Sequence, residues 1–219
     1  MNSPILQLLV LAGIAVFLIL RLRSVLGTRE GYEKPPVPVQ REKAQRRRDF
    51  EVIEGGPDED ITDHVPDGSD SAKALMAMKM AEPGFSLTEF LGGSRQAYEM
   101  ILMAFERGDL AEIEDLLSED VYASFAEVVE QREREGLTIE ATFVGVGDVT
   151  VKEATFDREA GVGEITVRFL GELTSVVRDR GGDIIEGDPN SIKRQKDVWT
   201  FSRRMGADDP NWTLVATGE

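Results

Sequence analysis

Catalysis needs side chains that trade protons or electrons or attack as nucleophiles, and this chain offers few of them. It has no cysteine and one histidine, His64. Thiol chemistry, disulfides, iron–sulfur clusters and cysteine zinc sites are excluded. A nucleophile activated by histidine needs His64 itself. That residue lies in the acidic, turn-rich stretch GGPDEDITDHVPDGSD, beside Asp58, Asp60 and Asp63. Such a group could bind a divalent cation weakly, but its spacing matches no calcium loop, and His64 reads as an ordinary surface residue. The carboxylates nearest apolar positions in the second half are Asp148, Glu172 and Asp197. A carboxylate serves as general base when burial raises its pKa. Asp197 is the leading candidate because DVWTF puts it in phase with Trp199 and Phe201. The plainer reading pairs each acid with an Arg or Lys of a neighbouring strand. GVGDV and GGSR lack the flanks and spacing of a nucleotide loop. No catalytic set, metal site or cofactor is therefore expected.

The remaining chemistry is apolar recognition, of a protein or of a hydrophobic ligand held in a pocket. Aromatic residues concentrate on the late segments, and a candidate pocket is Tyr98, Phe143, Phe169, Trp199, Phe201 and Trp212. Ordinary core packing is the competing reading for the same six residues.

Elements must exist to position these groups. SLTE reads as a capping box, Ser86 with Glu89, opening a helix. A further helix is expected from Ser94, with Ala97, Tyr98, Ile101, Leu102 and Phe105 on one face and Gly108 as its stop. Asp109 with Glu112 suggests a second box and a third helix carrying Leu110, Ile113, Leu116 and Leu117. A fourth runs from about Ser118 to Glu135, its stripe Val121, Tyr122, Phe125, Val128 and Val129, and Gly136 ends it. The period then changes to two. LTIEATFVGVGDVTVKEATF reads as a strand with a bulge near Gly145, where the apolar residues change face. In EITVRFLGELTSVVRD, Ile165, Val167, Phe169, Gly171 and Leu173 share a side. RGGDIIEGDPNS reads as a loop; KRQKDVWTFSRR and WTLVAT are two more strands. The prediction is an α+β domain over residues 84–219, with three to four helices on a curved, mainly antiparallel four-stranded sheet. Helices covering a strongly bent sheet make a cone with an internal cavity.

Ahead of it, residues 1–26 predict a transmembrane anchor. From Pro4 to Leu20 only Gln7 is strongly polar. As a helix this run rises about 25 Å, and Leu22, Val25 and Leu26 extend its apolar face while Arg21 and Arg23 snorkel. No basic residue precedes it and no small-residue cleavage site follows, so a retained anchor is expected rather than an export signal. Every nearby Lys and Arg lies C-terminal to the run, which places the N-terminus outside and the C-terminal domain in the cytoplasm, at the inner (cytoplasmic) membrane. Residues 27–83 read as a Pro-rich, charged, flexible linker, with a short helix over DSAKALMAMKMAEPG. The formal charge is −16. Residues 1–50 carry nine Lys/Arg and four Asp/Glu, so the basic part adjoins the anchor and the body is strongly acidic. An acidic body repels nucleic acid, so no nucleic-acid partner is expected, and membrane lipid is expected only through the N-terminal helix.

The helical half, SRQAYEMILMAFERGDLAEIEDLLSEDVYASF, and the closing strands, DVWTFSRRMGADDPNWTLVAT, resemble the Tim44-like domain family, and the span–linker–domain order resembles its membrane-anchored bacterial members. The resemblance covers about residues 84–219. It implies the cone fold of the nuclear-transport-factor-two class. It also implies an adaptor rather than an enzyme, binding a protein partner such as a membrane complex or chaperone, in protein translocation or inner-membrane protein biogenesis. Mitochondrial members of the family bring a seventy-kilodalton chaperone to the import channel. Cone folds of this class also host isomerases and dehydratases, which keeps an enzyme built on Asp197 as the alternative.

Overall fold

The computed structural model describes residues 58–218; the expected anchor and the first part of the expected linker lie outside them. Helix α1 (Glu59–Thr62), α2 (Asp70–Ala81) and α3 (Leu87–Arg107) come first, followed by a 3-10 helix, η1 (Leu110–Leu116), and α4 (Glu119–Glu135). Strands β1 (Thr138–Asp157), β2 (Val162–Arg178), β3 (Ile184–Gly187), β4 (Lys193–Arg204) and β5 (Thr213–Gly218) complete the chain. The strands form one antiparallel sheet in the order β1-β2-β4-β5, with β3 also paired to β2. The α+β class and helices-then-strands order agree with the sequence reading.

Bending comes from β1. Its pairing with β2 slips at Phe143/Gly145, Val146/Asp148 and Val151/Glu153. Each extra residue kinks the strand and increases local twist. The bulge expected near Gly145 is the first of these, and it leaves Val144 half exposed. The sheet has five strands rather than four, because Ile184–Gly187, expected as loop, pairs with Val176–Arg178 beyond the point where β4 stops at Leu173. Strands β3 and β4 thus succeed each other along the same edge of β2.

β2 shows best why the helices fit. Its residues Gly163, Ile165, Val167, Phe169, Gly171 and Leu173 alternate inward, as period-two patterning requires. The two glycines are sockets. A Cβ at Gly163 would lie 2.9 Å from Met78 of α2, and one at Gly171 would lie 2.4 Å from the Tyr98 hydroxyl of α3. Tyr98 and Met78 are fully buried in consequence, each burial contributing about 1.5–3 kcal/mol.

Three helical expectations are corrected. The helix opened by Ser86 and the one expected from Ser94 are a single helix, α3, which runs through Gly92 and Gly93. It survives the glycine pair because it buries Phe90 and Leu91 ahead of it and Tyr98, Ile101 and Leu102 behind it. The segment after Asp109 is a 3-10 helix, and Asp109 makes no capping bond, its backbone (φ −98, ψ 79) lying off the usual cap geometry. In α4, Val121 and Val129 are buried and Phe125 packs between them, whereas Val128, a step round the helix, is exposed.

The boundary at residue 84 is also corrected, since residues 58–83 belong to the folded body. Ile61, Val65, Ala72, Leu75 and Met78 are all in the core. Asp60 is what ties the segment down. Its carboxylate accepts hydrogen bonds from Leu87 N (2.8 Å), Thr88 N (2.8 Å) and Ser86 Oγ (3.1 Å). The two amides are orphan donors at the start of α3. Ser86 in turn accepts from Glu89 N (3.3 Å), as a capping residue should.

Candidate functional site

The inward row of β4 organises the interior. Gln195, Asp197, Trp199, Phe201 and Arg203 alternate along it, with polar groups at both ends and aromatics between. Tyr98 stacks on Phe169 with centroids 4.5 Å apart, and lies 4.7 Å from Trp199 and 6.3 Å from Phe143. These four of the six candidate pocket residues form one packed cluster. Trp212 belongs to a second cluster with Phe85 (6.0 Å) and Phe90 (4.7 Å). Phe201 joins the two, at 6.0 Å from Phe90 and 6.4 Å from Phe169.

At one end of the row, Asp197 accepts hydrogen bonds from the Tyr98 hydroxyl and from Gln195 Nε2 (2.8 Å). Burial, and then the adjoining Asp197 carboxylate, push the Tyr98 phenol well above its ordinary range. The phenol is therefore neutral, and it serves Asp197 as a donor. The other two candidate acids are strand-to-strand ion pairs, Asp148 with Arg168 (2.9 Å) and Glu172 with Arg194 (2.8 Å). Asp58 and Asp60 do attract a cation, but it is the ammonium of Lys79, at 2.7 and 2.8 Å. His64 Nε2 lies 3.3 Å from the Thr88 hydroxyl. Among the described residues no cluster of His, Asp and Glu is arranged to hold a metal.

At the other end, Arg203 is spent on structure. Its side chain is 9% exposed. It donates to Glu82 Oε2 and to the Pro210 carbonyl (2.9 Å), and Trp212 lies over its guanidinium at 5.2 Å. Glu82 also accepts from Gly206 N (2.8 Å). That backbone donor, and Arg203 against the opposing effect of burial, hold the Glu82 carboxyl below its ordinary value. The Nε of Arg203 is buried without a hydrogen-bond partner.

Arg203 and Trp212 border a groove of about 500 Å³ between α3 and the β4–β5 turn. Phe85, Phe90, Ala97, Met100 and Leu116 supply its apolar wall. A second hollow of about 360 Å³ shares Gln96 and Met100 with it and continues to Met103, Ile113 and the Arg107–Glu112 pair. Of the candidate pocket residues, Phe201 and Trp212 reach this groove. Met100, its most prominent apolar group, is 52% exposed. Phe85, Phe90, Met100 and Arg203 do not stand out in the sequence as site residues. Arg203 alone carries a signal there, since it keeps phase with Trp199 and Phe201. The groove faces of α3 and η1 are set by how the two helices meet, which periodicity does not encode.

The domain is thus a bent antiparallel sheet packed with helices, with an interior filled by aromatics and an open apolar groove beside α3. The chain belongs to the Tim44-like domain family, which matches residues 71–219. It is similar to the human mitochondrial import inner membrane translocase subunit TIM44, 24% identical over 165 residues. A second relative, the Arabidopsis thaliana subunit TIM44-1, is 21% identical over 162 residues. These alignments cover 71% of this chain but 36% and 34% of the two relatives, so the chain corresponds to about a third of their length. The solved intermembrane-space region of the chloroplast protein ARC6 superposes with a TM-score of 0.39 at 11% identity, covering 60% of this chain and 92% of that one. That likeness is too remote to bear on function.

Proposed function

We propose that the protein is a membrane-tethered adaptor whose Tim44-like domain captures a protein partner in the α3 groove. The observation that carries this is an exposed apolar groove, with Met100 standing half in solvent, on a domain whose curated relatives are translocase subunits. Exposed apolar surface concentrated in a groove marks an interaction site. On this reading residues 1–26 hold the protein in the inner membrane, the domain faces the cytoplasm, and the work is protein translocation or membrane-protein biogenesis. Holding a domain at the membrane raises its effective concentration near partners there without any new contact. On this reading the domain binds rather than catalyses, a reading supported by the candidate acids having structural partners: Asp197 accepts from Tyr98 and Gln195, and Asp148 and Glu172 pair with arginines.

The test has two arms in intact cells. Carbonate extraction should leave the full chain in the membrane pellet and release a chain starting at residue 53. Met100→Asp, a change at an exposed position that leaves the core alone, should abolish co-purification of the partner with the full chain. A full chain released by carbonate, or undiminished partner recovery, would contradict the reading.

A further inference from the structure

An open sheet edge is a template for another strand unless something guards it. Most edges of this fold are guarded. β5 is bridged on its outer side to Leu117, and Ser118 N donates to Leu214 O (2.9 Å). The part of β4 that β5 leaves uncovered carries Lys193, Arg194 and Lys196, and β3 is four residues long. Short edge strands and lysines are both ordinary protections. The second half of β1 is covered by helices. Arg95 Nη1 of α3 donates to Val146 O (2.8 Å), and Ala154 N donates to Ser71 Oγ of α2 (3.1 Å). The slips in β1 pairing also fall between Phe143 and Glu153, and bulges twist an edge away from a partner.

The first half of β1 has none of these devices. Thr138–Phe143 pair with Leu173–Arg178 of β2 without a slip. Among the described residues the backbone of this stretch bonds only to β2. Alternate residues therefore direct N–H and C=O groups outward, away from β2. The sequence TIEATFV has no Pro or Lys and is rich in β-branched and aromatic residues. Its one charge, Glu140, is balanced by Arg178 Nε at 2.9 Å. Ile139 and Phe143 are half-buried, and Val144 is 50% exposed. An added strand would bury apolar surface here as well as pair the backbone.

Charge and register choose the strand. The chain carries −16, so copies repel over most of their surface. At this edge the charge is balanced, and the edge is complementary to itself. With two copies antiparallel about Ala141, Ile139 of each faces Phe143 of the other, an aromatic and β-branched pair. Ala141 meets Ala141, where a methyl leaves room, and Glu140 meets Thr142. Moving the axis to Glu140 sets two carboxylates opposite each other, and moving it to Thr142 runs Ile139 into the bulge at Gly145.

We infer that a second copy of this chain adds to the first half of β1, antiparallel across a twofold axis at Ala141, so that one sheet runs through both copies. Such a pair uses the same patch on each copy and closes on itself. No residue of β1 lines the α3 groove. The dimer leaves both grooves open and does not depend on what they bind.

The chain has no cysteine, so one engineered thiol reports one position. The test uses the full chain in non-ionic detergent. Directly opposed residues of an antiparallel pair have Cα atoms about 4.5–5.5 Å apart, within reach of a disulfide. Copper-catalysed oxidation should link Ala141→Cys into a dimer and leave Ile185→Cys on β3 and Met80→Cys on α2 unlinked. In sedimentation the unsubstituted chain should run as two copies. Ala141→Lys and Ala141→Glu should each weaken the dimer by about fivefold or more. Their equimolar mixture should restore it, which also shows that both variants fold. Where a charged variant does not fold, the thiol result decides. A single copy at tens of micromolar, a dimer indifferent to both charges, a mixture of folded variants no tighter than either alone, or faster linking at 185 or 80 than at 141 would each overturn the inference.

Discussion

At the scale of single residues, the sharpest constraint is the fit of Tyr98 over Gly171. The hydroxyl occupies the space a β-carbon would take, 2.4 Å from it, and bonds Asp197 beyond. Gly171→Ala should destabilise the domain by about 1–3 kcal/mol, as overpacking does, and Tyr98→Phe by about 1–3 kcal/mol through a lost hydrogen bond to a charged group. Denaturant unfolding of the double mutant should show less than the sum, because removing the hydroxyl frees the space the methyl needs. Asp60 gives a second test. Burial pushes its carboxyl up, but Lys79 and the amides of Thr88 and Leu87 outweigh this and hold it well below the usual range. A depressed carboxylate pKa adds stability that is complete above the unfolded value of about 3.9 and disappears as pH falls toward the folded one. Thermal melts from pH 6 downward should therefore show an acid limb starting at about pH 4. In Asp60→Asn that limb should be shallower, and an unchanged limb would remove Asp60 from its latch role.

At the scale of elements, sequence patterning reads the regular pieces well and the joints poorly. The inward side of β2, the buried face of α3, the span of α4 and the first bulge of β1 follow from periodicity and stop signals, because one face of each is buried continuously. Misread elements depend on contacts distant in sequence. Nothing local marks Asp60 as the cap of a helix that starts at Leu87, so Asp58–Pro83 reads as linker. Nothing local says that β2 outruns β4 and leaves room for Ile184–Gly187 to pair. The groove is illegible for the same reason, although Phe201 and Trp212 on its border are legible as aromatic groups of the late strands. The Gly92–Gly93 pair carries an element-scale prediction. Gly92 is helical, and a β-carbon there would meet no atom within 4 Å, so Gly92→Ala should raise stability by about 0.5–1 kcal/mol. A loss in the melt of that variant would mean that α3 needs the flexibility of glycine there.

At the scale of the whole molecule, an acidic body adjoins a basic N-terminal part. Repulsion from anionic lipid keeps the body off the membrane surface to which, on the proposed reading, it is tethered, and this leaves the groove available to a partner. Charge and composition make this division legible and argue against nucleic acid. They do not show which face of the body is apolar, because the groove draws on α3, η1 and the β4–β5 turn, far apart in the chain. The claim that the α3 groove is the partner-binding face is tested most directly by photo-crosslinking in intact cells. The full chain would carry a benzophenone residue at Met100 in the groove, or at Met80, which is 82% exposed outside it. A discrete adduct with one membrane-associated protein from position 100, absent from position 80 and abolished by Gly93→Leu, is the predicted result. The same adducts from both positions, or none from position 100, would contradict it.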